Sequence, residues 1–426
     1  MSSSTSNAVG STERAPQIDS LTPLRGIAAL LVVVFHINSL LGFMSLGPVL
    51  EGTAFVERGY LWVDFFFVLS GFIITHVYGQ RFTEPFDRKV ILDYVRARFA
   101  RIYPLHFFAL LLNVALYFFI FSRMPGPGGG SDDGGYNNYA TLPYHFFMLL
   151  GFGLTPLGWN FPSWSISTEW WTYLLALPLF RFLNRGVSAL TYIAIGVCVA
   201  GLYLLMHFSP GKILDITQDF GLVRCILDFV VGICAYQFYR FPSAGTKLKG
   251  DGTLLGATLA MVLLLHFGAS TPPKIDPAAM TPPPAKSAPA SDTKSKEKSP
   301  PPSFPMPTPS PIAIYLDAVS PVVFGALIVC AANNRGLGYK FLNLKPMIYL
   351  GDISYSVYLM QSIAFNGLFI VGAIYRKAHP TGRMEPLWML SLIGGILGIT
   401  ILLASLTYRF VEIPARAWLR PKPAKP

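Results

Sequence analysis

Eleven positions separate Arg25 from His36, and the ten residues between them, Gly26 to Phe35, carry no polar side chain. A neutral imidazole in such a run can take a proton from a hydroxyl, and the arginine is a fixed cation. If the run is helical, the two lie about 16 Å apart along its axis at 1.5 Å per residue. Asp64, Glu169 and Gln361 stand in other apolar stretches. An ionisable group inside a membrane span costs about 2.5–3.5 kcal/mol on insertion, so each reads as a candidate for chemistry. Asp64 and Glu169 fall near the depth of His36, where either carboxylate can orient the imidazole, and a pairing of Asp64 with His36 is feasible. Ser163, Trp164, Ser354, Tyr355 and Gln361 add hydrogen-bonding groups on two further runs. A second signal is Arg96-Ala-Arg98-Phe-Ala-Arg101-Ile-Tyr-Pro104. Arg98 and Arg101 at i, i+3 share a helical face and suit bidentate contact with phosphate, although juxtamembrane arginines also anchor helices at lipid headgroups.

The elements that must hold these groups are membrane helices. Of 426 residues, 52% are hydrophobic and only 13% charged, which excludes an ordinary soluble protein. The apolar residues occur in runs near the length that crosses a bilayer, placing ten spans at about 22–41, 60–79, 104–122, 164–183, 187–207, 221–239, 252–268, 312–332, 347–373 and 386–408. The expected fold is an all-α integral membrane bundle. The stretch 143–160 is apolar but short, with Pro143, His145 and Pro156, and reads as a re-entrant or interfacial segment. Counting it as non-spanning gathers the basic clusters, Arg96 to Arg101 and the tail from Arg409 to Lys425 included, on one side. That side, with both termini, is then the cytoplasm.

The formal charge of +11 follows from this bias, and no nucleic-acid motif accompanies it. Residues 1–18 read as a disordered tail, 19–416 as the membrane domain and 417–426 as a basic tail. Residues 271–311 hold 14 of the chain's 35 prolines and a Lys/Ser-rich centre, and read as a disordered loop within the domain. Cys198, Cys225, Cys234 and Cys330 lie in or beside apolar runs without metal-ligand spacing, as helix-packing residues do. No metal site is expected.

Several motifs occur in order: Leu24-Arg25-Gly26-Ile27-Ala28-Ala29 with His36, Val63-Asp64-Phe65-Phe66-Phe67-Val68-Leu69-Ser70-Gly71-Phe72, Arg98 to Pro104, Pro162-Ser163-Trp164-Ser165-Ile166-Ser167-Thr168-Glu169, Ser354-Tyr355-Ser356-Val357-Tyr358-Leu359, and Phe410-Val411-Glu412-Ile413-Pro414. Together they resemble the acyltransferase family 3 membrane proteins, over about 19–416. The resemblance implies a ten-helix domain that moves an acyl group, usually acetyl from cytoplasmic acetyl-CoA, to a sugar hydroxyl. It also implies that Arg25 and His36 match the essential pair of the first helix, Arg98 and Arg101 the paired arginines, and Glu412 the glutamate near the end. Ser70 and Gly71 belong to the second motif. Members often carry His where this chain has Gln361, which can hydrogen-bond but cannot shuttle a proton at neutral pH.

The resulting expectation is an O-acyltransferase of the inner or plasma membrane, multi-pass, using an acyl-CoA co-substrate and no metal. Arg98 and Arg101 would hold coenzyme A phosphates with Arg25 nearby. His36 would act as general base or transient acyl carrier, oriented by Asp64 or Glu169, with Ser163, Trp164, Tyr355 and Gln361 supporting substrate or oxyanion. The acceptor would be a sugar, polysaccharide or glycolipid, for which Tyr136, Tyr139, Tyr144, Phe152 and Trp159 offer stacking faces. Glycan-synthesis or export proteins are the further partners. The alternative is a transporter of a polar solute or lipid-linked sugar, which should show repeat symmetry; none is evident.

Overall fold

The computed structural model of the chain describes residues 17–43, 54–82, 88–119, 137–180, 186–209, 213–241, 250–267, 311–379 and 384–419. The expected disordered loop (271–310 of it), most of both tails (1–16 and 420–426) and Tyr136 lie outside the described residues.

Ten helices follow the ten expected runs in chain order: α1 (Leu21–Phe43), α2 (Trp62–Tyr78), α3 (Arg88–Phe119), α4 (Ser163–Leu175), α5 (Ala189–Phe208), α6 (Gly221–Arg240), α7 (Asp251–Phe267), α8 (Pro311–Asn333), α9 (Ser354–Ala378) and α10 (Pro386–Thr407). Among the described residues there is no strand. All except α4 and α7 belong to eight stretches long and apolar enough to cross a membrane. The helix α7 has 17 residues and α4 only 13. Shortness of α4 has a local cause, because Pro178 disfavours α geometry at Leu177 and the chain turns at 176–178. Apolar side chains such as Ile193, Val197 and Leu204 on α5 and Leu387, Leu390 and Leu402 on α10 are exposed, as hydrocarbon surroundings permit.

Two expected boundaries shift. The third span, expected from 104, begins at Arg88, so Arg98, Arg101 and Pro104 belong to one long helix. The ninth, expected as 347–373, is interrupted at Ile353, with a short helix Lys345–Asp352 before α9. That short helix lies directly on α1: a Cβ on Gly351 would sit 2.0 Å from the Thr22 carbonyl oxygen, and one on Gly26 would be 2.7 Å from the Gly351 nitrogen. The contact sets Arg25 beside Ser354 and Tyr355, all three of which line one cavity.

A second close approach joins α2 to α6. A Cβ on Gly71 would be 2.1 Å from the Phe229 carbonyl oxygen, and one on Gly232 would be 2.0 Å from that of Val68. Small residues on both helices let the backbones meet, the usual means of association where no hydrophobic effect operates between helices.

The stretch expected as re-entrant or interfacial forms a five-residue helix, Leu142–Phe146, and then irregular backbone. Met148, Gly151 and Gly153 are left-handed at φ 55, 82 and 73. Its polar atoms find partners in the bundle: Gly153 N donates to Gln218 O at 2.7 Å, Leu222 N to Gly151 O at 3.1 Å, and the Trp171 indole to Met148 O at 2.9 Å. His145, Met148 and Leu150 are buried. Non-helical backbone in a membrane protein survives where protein covers it in this way. The four cysteines are buried and unpaired by disulfides.

Overpacking the α2–α6 crossing tests the arrangement. Gly71→Ala should cost about 1–3 kcal/mol, read as a lower unfolding midpoint in detergent; an unchanged midpoint would show that these helices do not meet at Gly71.

Candidate active site

A cavity of about 130 Å³ opens among α1, α2, α3, α4 and α9. Its wall forms a ladder because α2 and α4 descend together while α1, α3 and α9 rise. At one end are Arg25, Arg98, Arg101, Ser354 and Tyr355; in the middle Ser70, Glu169 and Tyr173; at the other end Val63, Phe66, Ser165 and Tyr358. From Val63 to Ile74 on α2 the cavity runs about 16 Å at 1.5 Å per residue.

The three arginines are held differently. Arg101 pairs with Glu412 and lies 5.3 Å from the centre of the Tyr355 ring. Glu412 also pairs with Arg416 and accepts from Ser356 Oγ at 2.8 Å. Glu412, only 2% exposed, sits in the π-helical turn Tyr408–Glu412 that follows α10, so one carboxylate ties α3, α9 and the C-terminal helix together. Arg98 lies between aromatic faces, 5.5 Å from the Tyr78 centre and 5.8 Å from that of Tyr173. Its Nε is buried without a hydrogen-bond partner. Arg25 is half-buried at the same end.

Glu169 is in this cavity and accepts from the hydroxyls of Ser70 and Tyr173. Tyr355 also lines it, but its hydroxyl donates to Ile102 O at 2.6 Å. The structure thus brings together Arg25, Arg98, Arg101, Ser70, Glu169 and Tyr355.

His36 does not line the cavity, and neither expected carboxylate touches it. Its Nδ1 is 2.9 Å from Gln361 Oε1, and Gln361 Nε2 donates to Tyr358 O at 2.8 Å. With the amide nitrogen committed to that carbonyl, Oε1 is the acceptor, so His36 Nδ1 carries the proton and Nε2 presents its lone pair. The ring meets Phe161 edge-on at 5.0 Å and Phe365 at 6.2 Å.

The expectation that Asp64 pairs with His36 is corrected by an arginine that the sequence reading passed over. Arg224 on α6 grips Asp64 with two bonds of 2.7 Å, Nε to Oδ1 and Nη2 to Oδ2, and both side chains are fully buried. The guanidinium also donates to Ile216 O at 3.1 Å and Tyr60 O at 3.2 Å. Trp164, expected to support the oxyanion, instead lies over this guanidinium at 5.5 Å. Ser163 donates to Asn160 O at 2.6 Å, a local turn bond, and lies outside the cavity lining. A parallel unit joins Arg58 to Asp317, which also accepts from Tyr60 OH at 2.8 Å and Leu214 N at 3.1 Å. The signal for these residues was available: Arg224 and Asp228 stand four apart inside one apolar run, and Asp317 inside another.

Residues 18–406 match the family described as an acyltransferase domain. The chain belongs to this family. It is therefore a multi-pass membrane acyltransferase. It is 34% identical to Protein 2 in picA locus of Rhizobium radiobacter over 35% of this chain and 75% of that protein. It is 32% identical to acyltransferase MdmB of Streptomyces mycarofaciens over 44% of this chain and 46% of that one. Similarity to O-acetyltransferase OatA of Staphylococcus aureus is 22% identity over 94% of this chain and 57% of that protein. The chain thus spans about half the length of the latter two. No solved structure matches it.

The geometry assigns Asp64 to the scaffold. Asp64→Ala should destabilise the acyltransferase by about 3–5 kcal/mol because Arg224 is left buried and unpaired, while Asp64→Leu with Arg224→Met should recover most of that loss. Unfolding midpoints in detergent measure both. A single variant that unfolds like the parent yet loses activity would return Asp64 to the chemistry.

Proposed function

We propose that the acyltransferase moves an acetyl group from acetyl-CoA, bound from the cytoplasm, to a hydroxyl of a sugar in a polysaccharide or glycolipid on the opposite face of the cell membrane. The observation that carries this reading is the convergence of Arg25, Arg98 and Arg101 at one end of a cavity whose other end approaches the His36–Gln361 pair. Guanidinium groups at the mouth suit the phosphates of coenzyme A. At about 130 Å³ the cavity is smaller than the 300–1,000 Å³ typical of a site that swallows a whole ligand, so it suits a thioester arm with the nucleotide left outside. Arg101, tied to Glu412, contributes a donor fork; because Glu412 is shared with Arg416 the cluster keeps net positive charge, to which Arg25 and Arg98 add. Glu169, held by two hydroxyls in the middle of the cavity, offers an acceptor for the amide N–H groups of that arm.

In the transfer, His36 Nε2 takes the proton of the acceptor hydroxyl while its oxygen attacks the thioester carbonyl. The carbon–sulfur bond breaks, and the imidazolium returns the proton to the departing thiolate. Gln361 takes the orienting part that had been expected of Asp64 or Glu169. A neutral amide fixes the tautomer and the ring without stabilising the imidazolium as a carboxylate does. An acyl group carried on His36 is the second form of the same chemistry. The names of two relatives, an acyltransferase and an O-acetyltransferase, support acyl transfer to oxygen. The bias of the basic clusters supports a cytoplasmic side for both termini, with the glycan acceptor meeting the aromatic outer segment near Tyr139 and Trp159.

Labelled acetyl transfer by the purified protein in nanodiscs tests the proposal. His36→Ala should abolish transfer and keep acetyl-CoA binding; Arg98→Ala should weaken binding by about tenfold or more, as loss of a charge-assisted bond implies. Full activity in His36→Ala would remove the imidazole from the reaction. In a second measurement, Gln361→Glu should move the acid limb of the pH–rate profile upward, because a carboxylate beside Nδ1 favours the charged ring; an unmoved limb would deny Gln361 its orienting part.

A further inference from the structure

The cavity ends before it reaches His36. Three side chains from three helices close it. Tyr358 of α9 and Ser165 of α4 join hydroxyl to hydroxyl at 2.7 Å, and Phe66 of α2 sets its ring against Tyr358 at 6.1 Å and 64°. Ser165 Oγ is also 3.2 Å from Pro162 O, so Ser165 donates to that carbonyl and accepts from the tyrosine. On the far side of this wall the same elements build the histidine site. Phe161, one residue before Pro162, abuts the His36 ring, and the Tyr358 carbonyl holds Gln361. Phe66 faces both ways, lining the cavity while packing against the apolar cluster that contains Phe365 and Ile37.

We propose that Phe66, Ser165 and Tyr358 form the sieve that sets acyl length in this acyltransferase, admitting an acetyl-sized group toward His36 and stopping longer chains. The inference rests on the donor reading above. An acyl group threading from the arginine end must pass this wall before its carbonyl meets the base. Two features make the wall selective. Phe66 fills the corridor with a rigid ring that has no shorter rotamer to offer. The tyrosine hydroxyl can exchange Ser165 for another oxygen acceptor, and an acyl carbonyl is such an acceptor, so a short acyl group opens the wall by replacing one hydrogen bond with another. A longer chain brings methylenes to the same place, where they offer the hydroxyls no acceptor in exchange for the bond they break.

The test compares acetyl-CoA with hexanoyl-CoA on purified protein in nanodiscs, by displacement of labelled coenzyme A and by kcat/KM. The parent should bind hexanoyl-CoA and turn it over at least about tenfold less well than acetyl-CoA, the scale of discrimination that poorly fitting methylenes produce. Phe66→Ala should shrink that gap to about threefold or less by both measures. Equal use of the two donors by the parent overturns the sieve. So does an undiminished gap in Phe66→Ala. Displacement by acetyl-CoA with normal acetyl turnover in those cases leaves the donor reading standing and removes only the wall. Failure of acetyl-CoA to displace at all removes both. The binding comparison on the parent alone decides the matter if Phe66→Ala does not fold.

Discussion

A carboxylate surrounded by hydrocarbon stays ionised only where a cation meets it, and Asp64 meets Arg224 with two parallel bonds of 2.7 Å. The pair fixes α2 to α6 at one level, and the Gly71 and Gly232 contact fixes the same two helices further along. Between those points lie Phe66, Phe67 and Ser70, half-way down a helix that can neither slide nor turn. The α2 wall of the cavity is therefore rigid because a buried charge on the opposite face requires it. Trp164, stacked on the guanidinium, passes this constraint on to α4, and α4 carries Ser165 and Glu169 into the same cavity.

Charges in the bundle sort into two kinds. Asp64 with Arg224 is a closed unit whose donors and acceptors are spent on each other and on nearby carbonyls, while Arg58, paired with Asp317 and donating to Leu264 O, keeps a buried Nε without a hydrogen-bond partner. Arg98, at the arginine end of the cavity, also keeps a buried Nε without a partner and rests on the faces of Tyr78 and Tyr173, which attract a cation.

How much of this the sequence disclosed follows from what a span's pattern records. Apolar runs gave ten helices in order, because hydrophobicity and length are properties of one segment. Depth was legible only in part: Glu169, expected near the level of His36, lines the middle of the cavity, and His36 meets Gln361 instead. Azimuth was not legible. Asp64 is expected near the depth of His36, yet it faces α6, and a list of residues at one level cannot say which way each points. Arg224 could not be matched to Asp64 from its own run, where the nearest carboxylate in sequence is Asp228, four residues on. The break at Ile353 could not be foreseen either, since Gly351 makes room for the backbone of α1, a partner more than three hundred residues away in sequence.

The Phe66 ring has a bearing on bioenergetics. A polar cavity in a membrane bundle that stops short of a buried histidine is part of the way to being a proton path. Each proton that leaked through it would dissipate about 2.3 kcal/mol per 100 mV of membrane potential. Phe66, a ring with no exchangeable proton, packs between the cavity and the apolar cluster beside His36, and such a ring cannot relay a proton as a hydroxyl can, which keeps the cavity compatible with an energised membrane.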